Sequence, residues 1–341
     1  MIIPDLNTTE RRILDQIQAG FPLETEPYKV LGNTLGLNSS EMLEHIRQLK
    51  QTGYLRQICG IFDGKRLGYH SALIALEIAP EKIENAVKII NAHPGVSHNY
   101  ARNHVFNLWF TLAVPTQQQL QSHAQRIKEL SECKRMLILP AITTYKIGVR
   151  FSMIDSQEKN NNYQTPNVVI PEKEITMEDI PFIQILQEDF PENEKPYEVM
   201  AKQLGITEEN LLQKIHEYLK WGYIRRVAGL LHHRKAGYTA NAMVVWQIPP
   251  NECDAIGKIF ATRNFVTHCY QRQEVPEFPY SLYTMVHAQT QEECEERIQW
   301  LQEDAPTYPH QTIYSTQEFK KRRVLYYSPI LTDWENQYGI R

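Results

Sequence analysis

The stretch FPLETEPYKVLGNTLGL, residues 21–37, recurs as FPENEKPYEVMAKQLGI at residues 190–206. The shift of 169 residues that superimposes the two stretches also aligns Gly53-Tyr54 with Gly222-Tyr223. Further along, VSHNYAR at 96–102 matches VTHCYQR at 266–272. Matching residues over such a length indicate that the chain consists of two homologous halves.

The composition is that of a globular protein, and it excludes several classes of function. The 341 residues are 42% hydrophobic and 22% charged, and the length suggests about two to four compact units. No apolar run reaches the roughly 18 residues of a membrane span, and the first residues lack a secretory signal, so we expect a cytoplasmic protein. The five cysteines form no C-x-x-C pair, which argues against a disulfide framework and a zinc knuckle. A net charge of -4 means that any polyanion must meet a local basic patch.

Each half begins with the pattern of a winged helix-turn-helix. In the first half, apolar spacing predicts a helix over 11–18, and Pro27 starts a short second helix. Asn38 with Glu41 can form a capping box for a third helix, which Gly53 ends. The second half repeats these helices near 179–188, 196–203 and 208–221. Three helices with a tight turn before the third, followed by an apolar strand, are typical of this motif.

The pattern then changes to strand, helix, strand, strand, helix, strand. In the first half these elements are predicted over 71–78, 81–92, 96–100, 106–114, 117–130 and 136–139. This order is that of a ferredoxin-like sheet with helices on one face, so we predict an α+β fold of two tandem repeats. The other face of each sheet needs a cover. The sequence therefore predicts an internal pseudo-dimer, and leaves further homo-oligomerisation open.

The repeat also sets the expected domain boundaries. The linker is placed at 153–175, where a polar, Asn-rich composition cannot bury a core. The remaining segments are winged helix-turn-helix domains at 1–62 and 176–231, ferredoxin-like domains at 63–152 and 232–327, and a C-terminal tail at 328–341.

Two clusters of basic and aromatic side chains in the second half predict a site for a polyanion. The first lies in RRVAGLLHHRKAGY, residues 225–238, and the second is HCYQR, residues 268–272. If both strands lie in one sheet, the two clusters face a single pocket. In the first half Asp63-Gly64 replaces the paired histidines, although the histidine, tyrosine and arginine of the second cluster are retained. We therefore expect the competent pocket in the second half, with a second, weaker site left open.

The third helix of each helix-turn-helix is poorly suited to reading DNA. Helix 39–52 contains two acidic and two basic residues, and helix 208–221 contains three acidic and two basic residues. Glu41 and Glu208-Glu209 stand at the helix N-termini, where they repel a phosphate. We expect these domains to serve as a scaffold or for dimerisation.

Several segments of the chain resemble those of a known family. Each half is similar to the Lrp/AsnC arrangement, and FDGKRLG at 62–68 is close to the turn that joins its two domains. LHHRKAG at 231–237, H-C-Y-x-R at 268–272 and PYSLYTMVH at 279–287 resemble the siroheme decarboxylases. The resemblance covers nearly all of the chain outside the linker. Those Lrp-like enzymes act in haem and haem d1 synthesis and are usually built from two similar subunits, so the chain looks like a fusion of the two.

The resemblance implies that siroheme loses the carboxyl groups of two acetate side chains as CO2, giving 12,18-didecarboxysiroheme. Siroheme carries its own iron, so we expect no separate cofactor and no metal held by the protein. His268, His232 or His233 is expected to deliver the proton needed at the new methyl carbon, with Tyr270 a further catalytic candidate. The groups expected to bind the substrate carboxylates are Arg225, Arg226, Arg234, Lys235, Arg272, His98, Tyr100 and Arg102.

Plainer interpretations of these residues remain open. The paired histidines fit a solvated turn, His98 and His268 fit core histidines bonded to the backbone, and Cys269 fits a small buried side chain. Tyr283 fits the core or a pocket wall, and the basic run 320–323 is typical of a solvated strand end. The alternative function is a ligand-responsive transcriptional regulator of the Lrp/AsnC type.

Overall fold

The computed structural model describes residues 6–148, 173–232 and 240–340, and these residues form two compact units. The first unit contains 6–67 and 173–232, and the second contains 68–148 and 240–340. Each unit therefore combines equivalent parts of the two repeats. The predicted linker lies mostly outside the described residues.

The described elements are numbered along the chain. The helices α1 to α11 are Thr8–Ala19, Pro27–Asn33, Ser39–Gln51, Ile83–Ala92, Gln117–Ser131, Ile180–Gln187, Pro196–Leu204, Glu208–Lys220, Cys253–Thr262, Gln291–Asp304 and Ile330–Tyr338. The strands β1 to β10 are Leu55–Phe62, His70–Glu77, Val96–Arg102, Leu108–Val114, Arg135–Ile147, Ile224–Leu231, Ala240–Trp246, Val266–Arg272, Leu282–Ala288 and His310–Lys321. Among the described helices, none has the length and apolar character needed to cross a bilayer.

The predicted helices of the first unit are confirmed, including their end signals. The side chain of Asn38 accepts a hydrogen bond from the backbone N–H of Glu41, and the Glu41 carboxylate accepts one from the N–H of Asn38. Gly53 and Gly222 follow α3 and α8 with φ of 73° and 69°, a left-handed conformation that costs glycine little. Local sequence therefore sets both ends of α3 and the C-terminal end of α8.

The repeated stretch that opens with Phe21 and Phe190 joins the two helix-turn-helix domains. The N–H of Phe21 donates to the carbonyl of Val227 on β6, and the N–H of Phe190 donates to that of Ile58 on β1, both at 2.8 Å. The two phenylalanine rings meet edge to face with centroids 6.0 Å apart. Strands β1 and β6 pair antiparallel with each other, so in the described residues each third helix is followed by one strand that pairs across the repeats.

The second unit contains two ferredoxin-like sheets that share their longest strands. The sheets have the strand orders β3-β4-β2-β5 and β8-β9-β7-β10. Residues 135–140 of β5 pair with β2 of the same repeat, whereas 141–147 pair with β8 of the other. Residues 310–314 of β10 likewise pair with β7, and 315–321 pair with β3. These exchanges close the described strands into a barrel, which confirms the predicted internal pseudo-dimer.

Apolar side chains fill both faces of the sheets. Helices α4 and α5 cover the outer face of the first sheet, and α9 and α10 cover that of the second. Inside the barrel, Trp109, Phe278 and Leu139 belong to one buried cluster to which both repeats contribute. The segment predicted as a C-terminal tail instead contains α11, and its Trp334 is buried in the core of the first repeat.

We predict that the two halves, separated within 153–175 and coexpressed, associate as a one-to-one complex. A half expressed alone leaves one end of its long strand unpaired and exposes inner aromatic side chains, each worth about 2–3 kcal/mol when buried. Co-purification with an affinity tag on one half tests this. A single half that behaves as a stable monomer with full activity would contradict it.

A buried carboxylate in the first unit gives a pH-dependent prediction. Although burial alone raises its pKa, hydrogen bonds from Thr176, Lys214 and Tyr218 lower the pKa of Asp179 to about 2. A lowered carboxyl pKa stabilises the fold above the unfolded value near 4, and this contribution is lost as the pH falls towards 2. Asp179→Asn should cost about 2 kcal/mol at pH 7 and less at pH 3, as measured by urea unfolding.

The control for that measurement is Asp254→Asn. Asp254 is exposed and pairs with Lys258 one helical turn away, so its loss should change stability little at either pH. If Asp179→Asn cost as much at pH 3 as at pH 7, the ionised carboxylate would not be the source of the effect.

Candidate active site

The strands β3 and β8 each place a histidine, a tyrosine and an arginine on the inner face of the barrel. Each strand has an irregularity before its histidine, between Val96 and His98 and between Val266 and His268. The valines pack in the cores under the helices. Residues at alternate positions after the irregularity therefore point inward, which brings His98, Tyr100 and Arg102 together on one strand and His268, Tyr270 and Arg272 on the other.

The two arginines are the most deeply buried charges of the site, at 7% and 8% exposed. Arg102 donates through Nη1 to the carbonyl of Ile313 at 3.0 Å, and Arg272 donates to that of Leu139 at 2.5 Å. Burial lowers the pKa of Arg102 to about 10 and lowers that of Arg272. In each arginine the Nε is buried without a hydrogen-bond partner in the described part of the chain. Because an uncompensated buried cation is costly, both guanidinium groups are suited to attract an anion.

Each arginine also lies over an aromatic ring. The guanidinium carbon of Arg272 is 4.9 Å from the centre of the Tyr270 ring and 5.4 Å from that of Tyr283. The corresponding distance from Arg102 to Tyr100 is 5.6 Å. These cation–π contacts partly replace lost hydration and hold the tyrosine rings in place.

The histidines are half-buried and held by neighbouring hydroxyl groups. Nδ1 of His98 lies 2.8 Å from the hydroxyl of Ser97, and Nδ1 of His268 lies 3.0 Å from that of Thr267. The Thr267 hydroxyl also lies 3.0 Å from Nδ1 of His287, a histidine that has no counterpart in the first repeat. A hydroxyl that fixes the ring leaves an imidazole oriented for proton transfer.

The other predicted cluster lies in the first unit, so the two clusters do not share a sheet. Strand β6 follows the third helix of the second repeat and pairs with β1, which follows the third helix of the first repeat. Strand β8 belongs to the barrel instead. Arg225 forms an ion pair with Asp63 at 2.9 Å, with Arg226 beside it on β6. His232 is exposed, and its N–H donates to the carbonyl of Tyr54. The remaining predicted residues of this cluster, which lie outside the described residues, are His233, Arg234 and Lys235.

Two half-buried lysines donate to backbone carbonyls near the site; sequence reasoning missed Lys146 and assigned Lys320 to a solvated strand end. Lys320 Nζ donates to the carbonyls of Asn91 and His93 at 2.8 Å each, and Lys146 Nζ donates to that of Arg263 at 2.7 Å. Burial lowers the pKa of Lys320 to about 8. Lys320 on β10 lies opposite Asn99, and Lys146 on β5 lies opposite Cys269. Because Asn99 and Cys269 are equivalent positions of the two repeats, the strand register shows that the two lysines are equivalent as well.

The structure also bears on metal and thiol chemistry. Among the described residues, no group of three or more His, Cys, Asp or Glu side chains is arranged to hold a metal ion. Cys269 is buried, its thiol lies 3.7 Å from the carbonyl of Gly257, and burial raises its pKa strongly. It is therefore a packing residue.

Comparison with known proteins finds both domain types twice. Residues 66–146 and 235–320 match the AsnC-like ligand binding domain, and residues 10–56 and 179–225 match the siroheme decarboxylase NirDL-like HTH domain. The siroheme decarboxylase of Hydrogenobacter thermophilus is 37% identical over 324 residues, which are 95% of this chain and 96% of that protein. The siroheme decarboxylase alpha subunit of Nitratidesulfovibrio vulgaris is 40% identical over 148 residues, 43% of this chain and 84% of the subunit.

A solved structure agrees with the sequence comparisons. The crystal structure of the siroheme decarboxylase NirDL in co-complex with an iron-uroporphyrin III analogue superimposes with a TM-score of 0.76 at 32% identity. It covers 97% of this chain and 99% of that one. Similarity along nearly the whole length, with each domain present twice, shows that this chain belongs to the siroheme decarboxylase family as a fusion of its two subunit types.

Proposed function

We propose that the protein decarboxylates siroheme. As a carboxy-lyase of the cytoplasm, it removes the carboxyl groups of two acetate side chains as CO2 and yields 12,18-didecarboxysiroheme for haem or haem d1 biosynthesis. The observation that carries this proposal is the duplicated His–Tyr–Arg arrangement inside the barrel, in a chain similar to a siroheme decarboxylase over 95% of its length.

Binding of the substrate requires cations, because siroheme carries acetates and propionates around its rim. The buried guanidinium groups of Arg272 and Arg102 suit this task, since a guanidinium grips a carboxylate through two parallel hydrogen bonds. His98 and Tyr100 line the same face as Arg102 and are proposed to contact the substrate there. The remaining cations proposed to bind carboxylates are Arg225, Arg226, Arg234 and Lys235.

Loss of CO2 requires a proton at the carbon that stays behind. When the bond between the methylene carbon and the carboxylate breaks, its electron pair remains on the methylene group, where the macrocycle can delocalise it. A proton from a general acid then completes the methyl group. We propose His268 as this acid because it is half-buried and oriented by Thr267. His232, His233 and Tyr270 are the alternatives.

No cofactor is needed in this scheme. The macrocycle takes the role of electron sink, and the iron arrives with the substrate. The chain's own residues bind carboxylates, orient the ring and supply the proton.

We predict that His268→Ala lowers siroheme turnover by about a hundredfold or more while leaving binding nearly intact. Arg272→Gln should instead weaken binding by roughly 1.5–3 kcal/mol, because it removes a charge-assisted contact. Anaerobic titration followed by absorption, with CO2 release and product mass, separates the two effects.

The repeat provides matched controls for these variants, His98→Ala and Arg102→Gln. Both should affect turnover less than the changes in the second repeat. If His268, His232 and His233 could each be replaced by alanine without slowing CO2 release, the acid would lie elsewhere, with His98 and Tyr270 next in line. Assignment of the reaction to the second repeat would then be withdrawn.

The first helix-turn-helix domain uses its basic residues for contacts inside the first unit. On α3, Lys50 pairs with Asp189 at 2.7 Å and with Glu192 at 3.3 Å, and Arg47 lies 3.6 Å from Glu192. The acids belong to the loop between α6 and α7 of the second repeat. Cations that are already paired release few counterions from DNA, so this arrangement supports a role in dimerisation over a regulator's DNA reading.

We predict that the protein shows no sequence-specific DNA binding at physiological salt. The acidic partners of α3 and the acids at the N-termini of α3 and α8 oppose phosphate contacts. Fluorescence titration with duplex DNA of varied sequence tests this, with an Lrp-type regulator and its operator as the positive control. Specific binding at nanomolar concentration would favour the regulator function instead.

A further inference from the structure

The two inner His–Tyr–Arg arrangements differ in the side chain that faces the tyrosine from the long strand. Glu318 on β10 lies opposite Tyr100, and Thr144 on β5 lies opposite Tyr270. The hydroxyl of Tyr100 donates to Oε2 of Glu318 at 3.2 Å. Thr144 is exposed and uncharged. At the position opposite the tyrosine, the first repeat therefore carries a carboxylate and the second repeat does not.

The neighbouring strand adds a second difference. Trp109 on β4 lies opposite Tyr100, and its indole N–H donates to the carbonyl of Phe106 at 2.6 Å. Tyr283 on β9 lies opposite Tyr270, and its buried hydroxyl has no hydrogen-bond partner among the described residues. Burial is the main cause that raises the pKa of Tyr283, so this hydroxyl stays protonated and available as a donor at neutral pH.

The two pockets are named here by their arginines. The Arg272 pocket offers the guanidinium Nε and the Tyr283 hydroxyl as buried donors without acceptors in the described part of the chain. In the Arg102 pocket the guanidinium Nε likewise has no partner in the described part of the chain. There, however, the indole N–H of Trp109 already donates to a carbonyl, and Glu318 adds a negative charge. A carboxylate gains two donors in the Arg272 pocket, although Glu274 also acts on Tyr283 there, whereas in the Arg102 pocket it meets a carboxylate that is hydrogen-bonded to the tyrosine itself.

Building on the proposed function, we propose that a substrate carboxylate binds in the Arg272 pocket and that Glu318 excludes carboxylates from the Arg102 pocket, so that of the two buried arginines proposed above to bind carboxylates only Arg272 does so. Glu318 and Thr144 are then the residues that decide which of the two equivalent pockets takes the tetrapyrrole. Specificity of this kind depends on a repulsive group in the wrong pocket as well as on donors in the right one. One chain would hold one substrate.

Lys321 provides the competing effect. It lies opposite His98 at the end of β10, where the second repeat has Ile147 opposite His268. An added cation favours anions at the first-repeat pocket. Glu318 lies opposite Tyr100 and is hydrogen-bonded to it, whereas Lys321 lies opposite His98, farther along β3 from Arg102. We therefore expect the charge of Glu318 to outweigh that of Lys321 at the Arg102 pocket.

The test exchanges charge at the two equivalent positions. Thr144→Glu introduces the carboxylate into the second repeat, Thr144→Gln adds the same bulk without charge, and Glu318→Gln removes the charge from the first repeat. Each full-length protein is titrated anaerobically with an iron-uroporphyrin III probe to obtain affinity and the number bound per chain. Siroheme turnover and thermal melting are measured alongside.

We expect one probe bound per wild-type chain. Thr144→Glu should weaken binding about tenfold or more relative to Thr144→Gln, and Glu318→Gln should add a second, weaker binding event. Two probes per wild-type chain would show that Lys321 outweighs Glu318, which overturns the inference. Equal affinities of the two Thr144 variants, or a single binding event in Glu318→Gln, would overturn it as well.

These outcomes are distinct from a failure of the proposed function. If the wild-type protein neither binds the probe nor releases CO2 from siroheme, the function itself is wrong. If it does both while the Thr144 variants remain indistinguishable, only the assignment of the pockets is wrong.

Discussion

The exchange of β5 and β10 between the two sheets is the constraint on which the second unit depends. Each strand begins in its own repeat and ends in the other, so neither ferredoxin-like sheet is complete without both halves. The register of that exchange also places Thr144 and Glu318 opposite the inner tyrosines. Because a shift of one residue turns every side chain to the opposite face, the strand pairing that builds the barrel also fixes the composition of the site.

The barrel allows charges to be kept where water is excluded. Arg102 and Arg272 are buried in the same barrel as a cluster of leucine, phenylalanine and tryptophan side chains from both repeats. Each replaces hydration by one carbonyl, together with one aromatic face for Arg102 and two for Arg272. These contacts do not satisfy all five N–H groups of a guanidinium. The favourable free energy of burying apolar side chains in the barrel offsets the cost of burying the charge. An arginine in this condition interacts more strongly with an incoming carboxylate than an exposed, hydrated one does.

Much of the fold could be predicted from the sequence, because helix periodicity, capping residues and the repeat are local or directly visible. The capping box at Asn38, the glycine after α3 and the strand order of each sheet follow from such signals. The length of β5 could not be predicted in this way, because residues 141–147 pair with β8, more than a hundred residues away in the chain. Of the two clusters that the sequence predicted to face one pocket, 268–272 lies in the barrel, whereas 225–231 belongs to another sheet. A sequence pattern predicts that a strand exists, whereas its neighbour depends on tertiary packing.

Duplication explains how a symmetric scaffold can carry an asymmetric site. The structural demands on the repeats, a bulge before the histidine and a buried arginine capped by a carbonyl, are met twice. At other inner positions the repeats have diverged, to Glu318 against Thr144 and to Trp109 against Tyr283. Since an irregular, multiply substituted tetrapyrrole has no two-fold symmetry of its own, a pocket that matches it gains nothing from an identical copy on the opposite strand. Divergence at these positions is therefore expected if one of the two equivalent pockets takes the substrate, as proposed above.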